Sequence, residues 1–308
     1  MDDKTTFLNH LVINLSFNDE HDKKIFRADD IVKNNWKFIS IGAFETVLNY
    51  SSQAIELNPE NAIAYNQRGM AYAGLKNFSA AVESYTKSIS LAPKYAQAYF
   101  NRGNAYSEMK KFILSISDYT KCIELAPYYA AAYFNRGNSY VILKNYSMAA
   151  ADYTKNIELA PHNFSAYNNR GNIYVEMKNF DDAIADYSKV IKINPNCSEA
   201  YNNRALAYSY LKDYSSAVKD YDSAIKLTPA DSAIYNNRAL LHYALEDYIA
   251  AILDLTKAIQ LNPNYASAYY LRGLCYKYVG NKIKAQSDFS KAEELGYTEQ
   301  KNFRGRFS

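Results

Sequence analysis

Apolar residues between Ala62 and Pro93 fall in two helical stripes. Tyr65, Gly69 and Tyr72 are spaced four and three apart, and Phe78, Ala81, Tyr85 and Ile89 three, four and four apart. At about 100° per residue each set lies on one face of a helix. The polar pair Lys76 and Asn77 separates the two stripes, and Pro93, which cannot continue a helix, follows the second. The pattern predicts two helices joined by a short turn, with their apolar faces packed together. It then repeats. Pro59, Pro93, Pro127, Pro161, Pro195, Pro229 and Pro263 stand 34 residues apart, with no proline elsewhere, and units of the same design begin at Ala62, Ala96, Ala130, Phe164, Ser198, Ser232 and Ala266. A two-helix unit of this size cannot bury a core alone, but stacked copies share one. The expected class is all-α, an α-solenoid.

This divides the chain into a capping segment over residues 1–27, a degenerate copy over 28–61, seven tandem units over 62–299 and a basic tail over 300–308. In the degenerate copy, Ile41 to Pro59 keeps the pattern and the first half is eroded. Phe7, Leu8, Leu11, Val12 and Leu15 form an amphipathic stripe that is expected to cap it. In the complete units a small residue recurs at Gly69, Gly103, Gly137, Gly171, Ala205, Ala239 and Gly273, letting the helices approach closely. Of the 31 Tyr, 21 occupy the four core places represented by Tyr65, Tyr72, Phe78 and Tyr85, so the high Tyr content reflects packing rather than a stacking platform for a ligand.

In the unit Ser198 to Asp231, Tyr201, Ala205, Tyr208, Ala217, Tyr221 and Pro229 stand at the fourth, eighth, eleventh, twentieth, twenty-fourth and thirty-second places. This arrangement resembles the tetratricopeptide repeat, and it recurs in phase seven times. The resemblance implies antiparallel helix pairs stacked as a right-handed superhelix, with first helices lining a concave groove that binds peptides. One departure stands out. Where many members carry Leu at the seventh place, this chain has Arg68, Arg102, Arg136, Arg170, Arg204, Arg238 and Arg272. Sixteen residues later come Asp118, Asp152, Asp186, Asp220, Asp254 and Asp288, with Ser84 standing opposite Arg68. A ladder of partly buried ion pairs that fixes helix register is expected.

The stripe of each first helix opposite the core face holds the second, sixth, ninth and thirteenth places, where packing is expected to dictate nothing. The sixth place carries Gln67, Asn101, Asn135, Asn169, Asn203, Asn237 and Leu271, and the ninth adds Asn104, Asn138 and Asn172. A carboxamide matches the C=O and N–H of a peptide unit, so such a row can hold an extended chain by its backbone. Tetratricopeptide proteins that grip extended peptides carry a similar Asn ladder at the sixth place. The fifth place is aromatic at Phe100, Phe134 and Tyr270 but amide at Asn66, Asn168, Asn202 and Asn236, which marks Phe100 and Phe134 as an apolar stretch for an anchor side chain. The chaperone-tail clamp of the family needs Lys at the second and fifth places and Arg at the sixth, and these are missing.

Charge and reactive residues narrow the function further. With 35 Lys and Arg against 32 Asp and Glu, a net charge of +3 and an even spread, nucleic acid is not an expected partner. No signal peptide or membrane span is read, so a soluble cytoplasmic protein is expected. Cys122, Cys197 and Cys275 are odd in number and lack metal-ligand spacing, so they read as buried fillers in a reducing compartment. His10, His21, His162 and His242 include no pair at ligand spacing, and no phosphate-binding loop or nucleophile motif is present. No cofactor, metal or catalysis is expected. The leading function is a protein-interaction scaffold whose partner is an extended segment of another protein. The alternatives are a self-associating structural solenoid, in which the chain forms a homo-oligomer, and a regulatory subunit of a separate enzyme.

Overall fold

The computed structural model describes residues 20–298, which contain sixteen helices and no strand. The chain forms two compact units, Met1–Leu159 and Ala160–Ser308. The first holds α1 (Glu20–Ser40), α2 (Phe44–Leu57), α3 (Ala62–Gly74), α4 (Phe78–Leu91), α5 (Ala96–Glu108), α6 (Phe112–Leu125), α7 (Ala130–Ile142) and α8 (Tyr146–Leu159). The second holds α9 (Phe164–Glu176), α10 (Phe180–Ile193), α11 (Ser198–Tyr210), α12 (Tyr214–Leu227), α13 (Ser232–Ala244), α14 (Tyr248–Leu261), α15 (Ala266–Tyr278) and α16 (Lys282–Glu294). Within each unit every helix packs on the next along the chain, and each first helix also touches the first helix of the following pair. The result is an all-α solenoid of stacked helix pairs.

Five of the pairs close around one steric fit, a glycine against a ring. Tyr119, in the middle of α6, is 1% exposed and lies against Gly103 of α5, where an added Cβ would stand 2.8 Å from the Tyr119 ring. Gly69, Gly137 and Gly171 meet Tyr85, Tyr153 and Tyr187 in the same way, and Gly273 meets Phe289. Small residues on the rest of the seam, such as Ala98, Ala105 and Ala81, are fully or almost fully buried. The large ring fills the space that the missing side chain opposite it leaves.

The turn between the helices of a pair is a Schellman cap. Lys110 N–H donates to the Ser107 carbonyl at 2.8 Å and Lys111 N–H to the Tyr106 carbonyl at 2.8 Å. This geometry needs a left-handed residue, and Lys76, Lys110, Lys144, Lys178, Lys212 and Glu246 adopt it with φ between 56° and 62°. Gly42 and Gly280 hold the same place in the first and last pairs. A side chain in this region is disfavoured and Gly is not. Lys110→Gly is therefore expected to stabilise the protein by about 0.5–1 kcal/mol despite the greater freedom it gives the unfolded chain. A raised urea midpoint would show it; a lowered one would mean that the Lys stem makes up for the strain.

The boundary drawn between residues 27 and 28 falls inside α1, which runs unbroken from Glu20. No Gly or Pro interrupts the segment, and Glu20 and Asp22 stand in the first turn, where the helix dipole favours acids. The copy looked eroded because its eighth place, small elsewhere, is Asn35. That side chain is fully buried, and it donates to the Val47 carbonyl at 3.3 Å and to Gln67 Oε1 at 3.1 Å. Cys122 and Cys275 are buried, but Cys197 is only half-buried, at the N-cap of α11. The stripe from Phe7 to Leu15 and the tail over 300–308 lie outside the described residues.

Candidate functional site

The seventh-place arginines make forks. Arg102 donates from Nε and Nη2 to the two carboxylate oxygens of Asp118, both at 2.7 Å, and Arg136 does so to Asp152 at 2.8 and 2.7 Å. In the second unit the pairs Arg170–Asp186, Arg204–Asp220, Arg238–Asp254 and Arg272–Asp288 repeat this geometry. The third nitrogen reaches the preceding pair, which the sequence did not suggest. Nη1 of Arg102 donates to Thr86 Oγ1 at 3.0 Å and that of Arg136 to Thr120 Oγ1 at 2.9 Å, while Arg204, Arg238 and Arg272 reach Ser188, Asp222 and Thr256. One guanidinium thus fixes two helices of its own pair and one of its neighbour. Hydrogen bonding to Asp118 pushes the Arg102 pKa further up. Burial outweighs the fork at Asp186 and holds its carboxyl above the usual range.

The sixth-place amides do not stand on a free stripe. Gln67 is fully buried, donating to the Val32 carbonyl at 2.9 Å, and Asn101 and Leu271 are 8% and 1% exposed. The reason is that a first helix has neighbours on more than one side, and the sixth place faces the first helix of the preceding pair. There the amide is used. Asn101 donates to Asn66 Oδ1 at 3.0 Å and Asn135 to Asn104 Oδ1 at 2.8 Å. In the second unit Asn203 donates to Asn172 at 3.3 Å and Asn237 to Asn202 at 3.0 Å. The acceptor is the preceding fifth-place Asn in the first and last of these pairs and the ninth-place Asn in the other two. Core tyrosines join the network: Tyr119 Oη donates to Asn104 at 2.8 Å, Tyr153 to Asn138 at 2.6 Å and Tyr187 to Asn172 at 2.7 Å. Asn169 is half-buried.

Residues 62–265 match the tetratricopeptide repeat model in six consecutive copies, and residues 255–287 match a second tetratricopeptide repeat model. The chain belongs to the tetratricopeptide repeat family. No curated protein matches it as a whole sequence. Among solved structures it is similar to YrrB, described as a tetratricopeptide protein with an unusual peptide-binding site, at 22% identity and a TM-score of 0.55 over 58% of this chain and 92% of that one. It is also similar to MamA, at 25% identity and 0.53 over 55% and 92%. A third likeness is to a tetratricopeptide protein of Parabacteroides merdae, at 21% and 0.54 over 81% and 98%. These likenesses show the fold, and the family makes the chain a protein-interaction scaffold.

On the tetratricopeptide scaffold the fifth-place aromatics turn partly inward. Phe100 lies 4.8 Å from the Tyr129 ring and 6.0 Å from Tyr119, and Phe134 lies 5.6 Å from Tyr153, all between ring centroids. Gln97 was not singled out from the sequence, yet it joins the same surface by donating to Asn101 Oδ1 at 3.1 Å and accepting from Tyr129 Oη at 2.7 Å. The ninth place changes character along the chain, from Asn104, Asn138 and Asn172 to the half-buried Leu206, Leu240 and Leu274. Among the described residues no His, Cys, Asp or Glu cluster could hold a metal, and no helix is long and apolar enough to cross a membrane. Burial pushes the Cys122 thiol up to about 11 and Cys275 up to about 12, so both stay protonated and unreactive at neutral pH.

Proposed function

We propose that the first-helix face of each unit binds an extended segment of a partner protein, through the carboxamides of Asn101, Asn104, Asn135 and Asn138 beside Phe100 and Phe134 in the first unit and of Asn169, Asn172, Asn203 and Asn237 in the second. The observation that carries this reading is the linking of successive first helices, amide to amide, as between Asn104 and Asn135. Linked amides are held in fixed orientations, which lowers the entropic cost of gripping a second chain. An Asn has two N–H donors and an oxygen with two acceptor positions, so even Asn104 and Asn172, whose oxygens each accept from a Tyr and an Asn, keep their N–H groups for a ligand. Each hydrogen bond to the bound segment contributes only about 0.5–1.5 kcal/mol, so binding rests on several copies acting together. The buried free thiols suit a reducing compartment such as the cytoplasm.

Testing this requires removing amides without opening the stack. Leu271 stands at the sixth place natively and is buried, so Asn135→Leu combined with Asn203→Leu should keep the packing. We expect this variant to retain its helical circular dichroism and to lose most of the peptides that the wild type retains from a randomised extended-peptide library. Equal retention by both proteins would remove the amide row from the binding site.

A further inference from the structure

Six copies of the Arg fork serve as internal controls for the seventh. In each of the six, a carboxylate of the same pair accepts two bonds from the guanidinium. Arg68 has the same place on α3, but α4 offers it Ser84. Only its Nε is engaged there, donating to Ser84 Oγ at 3.2 Å, and no described carboxylate pairs with it. Nor does Nη1 find the hydroxyl of the preceding pair: Ser52, at the place of Thr86 and Thr120, donates to the Leu48 carbonyl at 2.7 Å and accepts no bond from Arg68. The guanidinium leans instead on Tyr65, 4.9 Å from the ring centroid, where the matching distances for Arg102, Arg136, Arg170, Arg204 and Arg272 are 5.6–5.8 Å. Ser84 itself is 1% exposed, and Arg68 is half-buried.

We propose that Arg68 and Ser84 form a binding site for a carboxylate, supplied by an Asp or Glu side chain of a partner protein. The fork needs two oxygens in one plane, which a carboxylate provides and a carboxamide does not. In the six native pairs an arginine at this place meets a carboxylate in that geometry. Ser84 has a hydroxyl where the six other copies have a carboxyl group, so Nη1 and Nη2 of Arg68 keep the donors that a partner's carboxylate would take. The site lies on the Arg edge of the α3–α4 pair and does not depend on the amide row.

The test is the Arg Nε–Hε resonance of the full chain by heteronuclear NMR, with Arg68 assigned by Arg68→Lys. The probes are acetate and two blocked tripeptides, Ala-Glu-Ala and Ala-Gln-Ala, at constant ionic strength. The Glu peptide is expected to move the Arg68 signal saturably toward the positions of the six forked arginines and leave those six in place, and the Gln peptide to leave it unmoved. Ser84→Asp should put the signal at the forked position without ligand and abolish the response. Asp is the native residue at this place in six other copies, so the variant should fold, and circular dichroism checks that it does. An Arg68 signal already at the forked position and indifferent to every probe would overturn the site. A response to acetate with none to the Glu peptide would assign it to free small anions and overturn the protein partner.

Discussion

Asp118→Ala is expected to destabilise the first unit by about 3 kcal/mol, because it leaves the Arg102 guanidinium without its fork in a setting where the Asp is 7% and the Arg 18% exposed. The cost is not that of a surface ion pair, which is about 0–1 kcal/mol. Arg102 also bonds Thr86 of the preceding pair, so an uncompensated charge there loosens two contacts, one within the repeat and one between repeats. In a solenoid, stability is a sum over repeats and their interfaces, so the damage should be local. Hydrogen exchange should rise on α5 and α6 first and on α1 and α2 little, and the urea transition should broaden. The double change Arg102→Met with Asp118→Leu should recover most of the loss, since removing both charges also removes the desolvation cost. Failure of the double variant to recover would mean that the ladder contributes net stability rather than register.

Much of this was legible in the chain because each repeat comments on the others. The spacing of Tyr, small residue and Pro gave the helices and their pairing, and the Arg and Asp places sixteen apart gave the fork. What the spacing of one helix hides is how many neighbours that helix has. A wheel drawn for α5 shows a core face and an opposite face, and it puts Asn101 on the latter; the stack adds a side contact with α3, and Asn101 is 8% exposed there. A sequence signal for this existed. Each sixth-place Asn seen to bond a neighbour follows a copy with an Asn at the fifth or ninth place, as Asn66 precedes Asn101 and Asn104 precedes Asn135, although the copy before Leu271 has one as well, Asn236. The left-handed turn was equally readable, since Gly42 and Gly280 stand where six other copies have Lys or Glu. The hydroxyls that receive the third Arg nitrogen were not, because Thr and Ser at a helical position give no hint of a partner in the next repeat.

Gly103→Val is expected to cost about 3 kcal/mol or more, and Gly103→Ala to stay within about 1 kcal/mol of the wild type. A Cβ at Gly103 would stand 2.8 Å from the Tyr119 ring, so even Ala obliges the ring to shift. The fifth complete copy shows that it can: there Ala205 stands opposite Tyr221, and both are buried at 0% and 1%. The gain in helix propensity from Gly to Ala, about 1 kcal/mol, then offsets the repacking. Val adds two methyl groups on a branched Cβ that is stiff in a helix, and Tyr119 cannot yield further without leaving Asn104, to which its hydroxyl donates at 2.8 Å. That bond ties the core ring to the amide that Asn135 also uses. Gly103→Val should therefore lower the thermal midpoint and also loosen the α5–α7 contact, read as faster exchange at both helices. If Ala proved as damaging as Val, the ring of this copy would be pinned by its hydrogen bond, and the smaller residue here would be required by the amide network rather than by the space between two helices.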